Sequence, residues 1–141
     1  MSAGLKDLRA AAETGDANSQ FNLGVVYDNL LDDTGGYDTK GNRAEAVKWL
    51  LQAAQQGLPR AQIRLAEIYA DGPDQSGAHV RAGTWFLVAA TGLSGAHRQR
   101  AQSGYDRIAR LMAPAQIAKA KRLARMWKPR PQDSAALVAP P

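Results

Sequence analysis

The chain has 141 residues, no cysteine and a formal net charge of +5. That length suits a single domain, and the missing cysteines exclude a disulfide framework, a thiolate zinc site and a cysteine nucleophile. The charge is uneven: residues 1–92 hold 8 Lys+Arg against 11 Asp+Glu, whereas 93–141 hold 10 against 2, so the last third is the part that could attract nucleic acid or an anionic surface.

The first residues lack a basic segment followed by an apolar run, and no apolar stretch approaches the ~20 residues that span a bilayer. A cytoplasmic protein is the expectation. Residues 3–14 are Ala-rich and put Leu5, Leu8 and Ala12 on one face, which is helix spacing in good helix formers. Gly15 is expected to end that helix in a left-handed turn, and Asp16 to cap the next one, over 16–29. That helix spaces Phe21, Leu23, Val26, Tyr27 and Leu30 three and four apart.

Residues 28–42 read as a long turn-rich connection, with glycines at 35, 36 and 41 among Asp and Asn side chains. A helix near 43–56 turns Ala46, Val47, Leu50, Ala53 and Ala54 inward, with Trp49 its largest apolar group, and Gly57 stops it. Pro59 opens the next helix, over 60–70, where its missing N–H is no loss. Helices near 79–91 and 96–112 follow. A last one, 114–128, carries Ile117, Ala120, Leu123, Ala124 and Trp127 as a stripe among Lys119, Lys121, Arg122, Arg125 and Lys128. Residues 130–141 have no periodicity and read as a disordered tail. The pattern predicts about seven helices and no strand.

The elements repeat. Gly15, Ser19, Gln20, Leu23 and Tyr27 recur as Gly57, Ala61, Gln62, Leu65 and Tyr69, an offset of 42. Ala46-Val47-Lys48-Trp49-Leu50-Leu51-Gln52-Ala53-Ala54 recurs as Ala82-Gly83-Thr84-Trp85-Phe86-Leu87-Val88-Ala89-Ala90, an offset of 36. A third start, Gly92-Leu93-Ser94-Gly95-Ala96, mirrors Gly57-Leu58-Pro59-Arg60-Ala61. Self-similarity at this period marks a stacked-repeat architecture and outranks any local motif. The difference in offset belongs to the 28–42 connection, because loops take up insertions that stacked helices refuse.

The paired pattern resembles the Sel1-like repeat, a relative of the tetratricopeptide repeat. Ser19-x-x-x-Leu23-Gly24-x-x-Tyr27 with Ala46-x-x-Trp49-Leu50-x-x-Ala53-Ala54-x-x-Gly57 forms one repeat. Ala61-x-x-x-Leu65-Ala66-x-x-Tyr69 with Ala82-x-x-Trp85-Phe86-x-x-Ala89-Ala90 forms the next, its Gly92 one position early. Ser19 and Ala66 stand where the family has Ala and Gly. The run from 107 to 129 looks like the C-terminal cap of bacterial members. The resemblance implies an all-α, right-handed α-solenoid of antiparallel helix pairs over 3–129: a half-repeat at 3–14, repeats at about 16–57 and 58–92, and a cap at 93–129. It also implies protein–protein interaction as an adaptor or scaffold, with the first helix of each pair lining a concave face.

On that face the non-core positions are Asn18, Asn22 and Val26 in the first repeat and Arg60 and Arg64 in the second. Such side chains suit a partner's backbone or carboxylates; the competing reading is ordinary solvated surface. With two full repeats the surface is short, so binding is weak unless the chain dimerises or belongs to a longer array.

The alternative partner is nucleic acid or an anionic surface, met by Lys119, Lys121, Arg122, Arg125 and Lys128. Against it, these cations alternate with an apolar stripe as on any capping helix, and the one aromatic beside them, Trp127, belongs to that stripe and not to the charged face that would stack a base. Trp49, Trp85, Tyr27 and Tyr69 recur at helical spacing, so core packing explains them better than a ligand cage. Asp28, Asp32, Asp33 and Asp38 do not match the spacing of a calcium loop, and turn formation accounts for them. His79 and His97 lack a carboxylate or serine at helical spacing, and no phosphate loop, His-Glu-x-x-His or Gly-x-Ser-x-Gly is present. No enzyme, cofactor or metal is expected.

Overall fold

A computed structural model describes residues 3–29, 41–72, 74 and 77–130. Within them lie seven helices and no strand: α1 (Ala3–Glu13), α2 (Ala17–Asp28), α3 (Gly41–Gln55), α4 (Pro59–Asp71), α5 (Ala78–Thr91), α6 (Gly95–Ala109) and α7 (Pro114–Met126). The expected helices are all present, their ends moved by at most three residues. Most of the 28–42 connection, with Leu30, Asp32, Asp33 and Asp38, lies outside the described residues, as does 131–141. The chain forms two compact units: α1–α3 make up one, α4–α7 the other, and the break falls between Leu58 and Pro59.

The helix ends follow local chemistry. Gly15 and Gly57 take φ of 101° and 99°, a region that admits glycine without a side-chain clash. After α3, the Gly57 N–H donates to the Ala54 carbonyl and the Leu58 N–H to that of Ala53. This paired return satisfies carbonyls that the helix leaves open. The Asp16 carboxylate accepts the Ser19 N–H at 2.9 Å and so caps α2. α7 opens on Pro114, and the Gln116 side chain reaches back 2.8 Å to accept the Ala113 N–H.

In the first unit α2 and α3 run antiparallel. Gly24 faces Ala46 and Leu50, and Gln20 faces Gln52 and Gln56. Ala12, Leu23 and Trp49 are buried together, with Leu5, Leu8 and Tyr27 packed around them. A Cβ built on Gly24 would stand 2.7 Å from Leu50 Cγ, so α2 approaches α3 more closely than alanine permits. Arg9 of α1 spreads its guanidinium over the Tyr27 and Trp49 rings, 5.7 and 5.9 Å from their centroids, and donates to the Tyr27 hydroxyl. The Arg130 N–H donates to the Gln55 carbonyl at 2.7 Å, so backbone order reaches the first residue of the segment expected to be a tail.

The second unit has its own apolar core: Ile63 and Ala66 of α4, Val80, Ala82, Phe86 and Ala89 of α5, Ala101, Tyr105 and Ile108 of α6, Met112, and Ala120 of α7. Phe86 stacks where α6 offers Gly104; a Cβ there would lie 2.4 Å from the ring. The four conspicuous aromatics are not equally internal. Trp49 is 3% exposed, but Tyr27, Tyr69 and Trp85 are half-buried. In α5 the fully enclosed aromatic is Phe86, and Trp85, one position earlier, meets Trp127 edge-on with centroids 6.1 Å apart. The Ala82, Phe86, Ala89 stripe faces the core, and Trp85 falls at its margin.

Candidate functional site

The repeat builds the same surface twice from different side chains. Along α2, Gln20 and Leu23 are buried, while Asn18, Asn22 and Asn29 are exposed and Val26 is half-buried beside them. Along α4, Gln62 and Leu65 are buried at the equivalent positions, Arg60 is exposed and Arg64 half-buried, and Asp71 ends the stripe exposed. Residues 18, 22 and 29 correspond to 60, 64 and 71 under the offset of 42. Asn18, Arg60 and Arg64 each already interact within the chain. Asn18, Asn22 and Val26 are thus brought together on one helix of the first unit, and Arg60 and Arg64 on one helix of the second.

Sequence reading missed a participant in the second stripe. Glu67, one turn beyond Arg64, takes both carboxylate oxygens to Arg100 of α6, each at 2.9 Å from the same guanidinium nitrogen. This pair joins α4 to α6 on the side that Arg60 and Arg64 occupy. Its signal in the sequence was the spacing 60, 64, 67, 71, which is one helix face; nothing local pointed to Arg100, a residue 33 positions away.

The buried glutamines were also unassigned. In the first unit the Gln20 amide donates to the Ala12 carbonyl at 3.1 Å and to Gln52 at 3.2 Å, while Gln56 donates to Gln20 and to the Gly15 carbonyl, both at 2.9 Å. A buried amide left without partners is costly, and here α1, α2 and α3 supply them. The recurrence of Gln20 as Gln62 was the available signal. The network ties α1, α2 and α3 together and so fixes helix register.

The basic set behaves differently. Lys119, Lys121, Arg122, Arg125 and Lys128 are all exposed, and α7 contains no carboxylate. Helical spacing divides them. Lys121 and Arg125 stand on the side next to α5, whereas Lys119 and Arg122 share the outer side with Met126, itself 68% exposed. His79 has found a partner after all: the Asp74 carboxylate accepts its backbone N–H at 3.0 Å and lies 3.6 Å from Nδ1. Asp74 thereby caps α5, whose own cap residue Gly77 has no side chain. Among the described residues no group of three His, Cys, Asp or Glu side chains could hold a metal ion, and no helix is long and apolar enough to cross a membrane.

Comparison with known proteins bears on this arrangement. A family model described as the Sel1 repeat matches residues 17–58 and 59–92, so its boundary coincides with the break between the two units. Among curated proteins, an F-box protein of Arabidopsis thaliana is 43% identical over 58 residues, which is 41% of this chain and 14% of the plant protein. Among solved structures, a protective antigen of uropathogenic Escherichia coli that displays an SLR fold superposes with a TM-score of 0.70 at 27% identity, over 95% of this chain and 27% of the antigen. Each relative is several times longer than the part this chain matches.

Proposed function

The chain belongs to the Sel1 repeat family, and from that premise we propose that it is an adaptor or scaffold that holds a partner protein or peptide on the stripes of α2 and α4. Sel1-repeat and SLR-fold proteins are, as a class, helical modules that bind other proteins. One observation carries the extension to these stripes. Gln20/Gln62 and Leu23/Leu65 recur unchanged and are buried in both repeats, whereas Asn18/Arg60 and Asn22/Arg64 differ and reach the surface. A constant core under a variable surface is how a repeat scaffold turns one backbone into different recognition chemistry. Asn offers a donor and an acceptor to a partner's backbone, and Arg offers a planar fork to its carboxylates. No catalytic step is part of this reading.

The test is cross-linking and pull-down from the source organism's lysate with the intact chain and with Asn22→Ala/Arg64→Ala. Loss of the captured protein in the double variant supports the stripes. Equal capture by both removes them as the binding surface.

The uncompensated charge of α7 favours a second reading, binding to nucleic acid or an anionic surface through Lys119, Lys121, Arg122, Arg125 and Lys128. Such binding weakens steeply with salt, because each neutralised phosphate releases counterions. Affinity for an oligonucleotide that is the same at low and moderate salt rejects it.

A further inference from the structure

Between α5 and α7 the second unit has an open cavity of about 340 Å³, lined by Leu87, Thr91, Lys121, Ala124 and Arg125. The volume stands at the low end of the range for ligand sites, roughly 300–1,000 Å³. It accommodates the anchoring side chains of a short segment and not a folded surface. The floor is apolar: Leu87 and Ala124 are half-buried there. Thr91 donates its hydroxyl to the Val88 carbonyl at 2.7 Å, which leaves the hydroxyl oxygen as an acceptor. Beyond Ala124, Trp127 packs edge-on against Trp85 and holds α7 to α5.

The two cations at the rim lack the carboxylate partner that Arg9 and Arg100 have. Arg9 lies 3.9 Å from Glu13, and Arg100 is held by Glu67. Lys121 and Arg125 make no ion pair among the described residues, no carboxylate lines the cavity, and none occurs on α7. They stand four residues apart, so the helix places like charges side by side. A carboxylate brought between them relieves that repulsion, and an apolar side chain beside it covers Leu87 and Ala124.

We propose that the cavity between α5 and α7 is a docking site for a partner segment carrying an aliphatic or aromatic side chain next to an Asp or Glu. It is separate from the α2 and α4 stripes and does not depend on them. Charge complementarity selects an acidic segment, and the apolar floor distinguishes it from a plain polyanion, which has nothing to place there.

A phage-displayed random peptide library, panned on the intact chain, tests this. The selected sequences are expected to pair Leu, Ile, Val or Phe with an adjacent Asp or Glu. Fluorescence anisotropy then compares the intact chain with Lys121→Glu/Arg125→Glu. Both positions are exposed, so circular dichroism should be unchanged; Lys121→Gln/Arg125→Gln replaces the pair if it is not. Affinity should fall about tenfold, as for the loss of two exposed charge contacts and their replacement by repulsion. It should return when the acidic residue of the peptide is changed to Lys. Peptides without acidic residues, equal affinity for the charge-reversed variant, or no selected peptide at all each overturn the proposal. So does capture of oligothymidylate or phosphatidylserine vesicles through the same two residues with no peptide bound. The Asn22→Ala/Arg64→Ala variant should bind the peptide normally; if it does not, the peptide occupies the stripes and the cavity has no role.

Discussion

The helix pair α2/α3 and the pair α4/α5 are written to one plan and filled by different side chains. In the first, a glycine lets the helices meet, and a cluster of glutamine amides with two backbone carbonyls occupies the seam. In the second, Gln62 is buried as Gln20 is, but the positions of Gln52 and Gln56 are taken by Val88 and Gly92, and an aromatic ring, Phe86, stands at the position of Leu50 and is seated on Gly104 of the following helix, α6. The repeat therefore specifies where helices lie and leaves open what fills the space between them. Amides demand directional partners, and a ring demands volume. The same backbone accepts either once its small residues are in place.

The comparison can be broken most sharply at the apolar end. Phe86→Ala should lower stability by about 3–5 kcal/mol, as other buried aromatic truncations do. Gly104→Ala should cost about 1–3 kcal/mol, because the ring cannot move aside. Denaturant unfolding measures both; a silent Gly104→Ala would mean that α5 and α6 are farther apart than described.

Next comes the pair of tryptophans that the repeat makes equivalent. Trp49→Ala should cost about 3–5 kcal/mol, and Trp85→Ala roughly half as much, because part of its surface already meets water. Equal losses would restore the equivalence that the sequence suggested. At the polar end, Gln20→Ala removes one hydrogen-bond partner each from the Ala12 carbonyl and the Gln52 and Gln56 amides, and should cost about 1–3 kcal/mol. A Gln20→Leu variant as stable as the intact chain would show that the amide cluster can be replaced by apolar packing.

The smallest effect lies in how the two pairs begin. α2 starts under the Asp16 carboxylate, whereas α4 starts on Pro59 and has no such acid. Hydrogen bonds from the Ser19 hydroxyl and N–H hold the Asp16 pKa below its ordinary value. A carboxyl whose pKa is depressed on folding stabilises the folded state above its unfolded pKa and stops doing so as pH falls through the folded one. Asp16→Ala should therefore cost about 1 kcal/mol at neutral pH and less in strong acid, where the neutral carboxyl caps without its charge, whereas Asp16→Asn should keep the cap and abolish its pH dependence. Unfolding curves from pH 7 down to pH 2 separate the three proteins.

Much of this was legible in the sequence because it depends on local rules. Seven helices, their glycine stops and the Asp16 cap follow from spacing and from backbone preferences that each residue carries wherever it stands. The exposure of Asn18, Asn22 and Arg60 followed as well, since a helix that buries one face must show the other. Trp85 packs against the core but stays half-buried, because periodicity assigns a side chain to a face, and neighbours decide whether it lies at the centre of that face or at its edge.

What only the tertiary structure decided were the meetings between distant residues. Arg100 finds Glu67, Gln56 finds Gln20, Gly104 yields to Phe86, and Lys121 and Arg125 come to stand over Leu87. Helical spacing constrains contacts three and four residues apart; contacts between helices depend on how the helices pack, and packing is set by the summed volumes of whole faces. The sequence by itself determined a Sel1-type repeat with a constant core and a variable surface. The tertiary structure decided which of its charges are paired and which still want a partner.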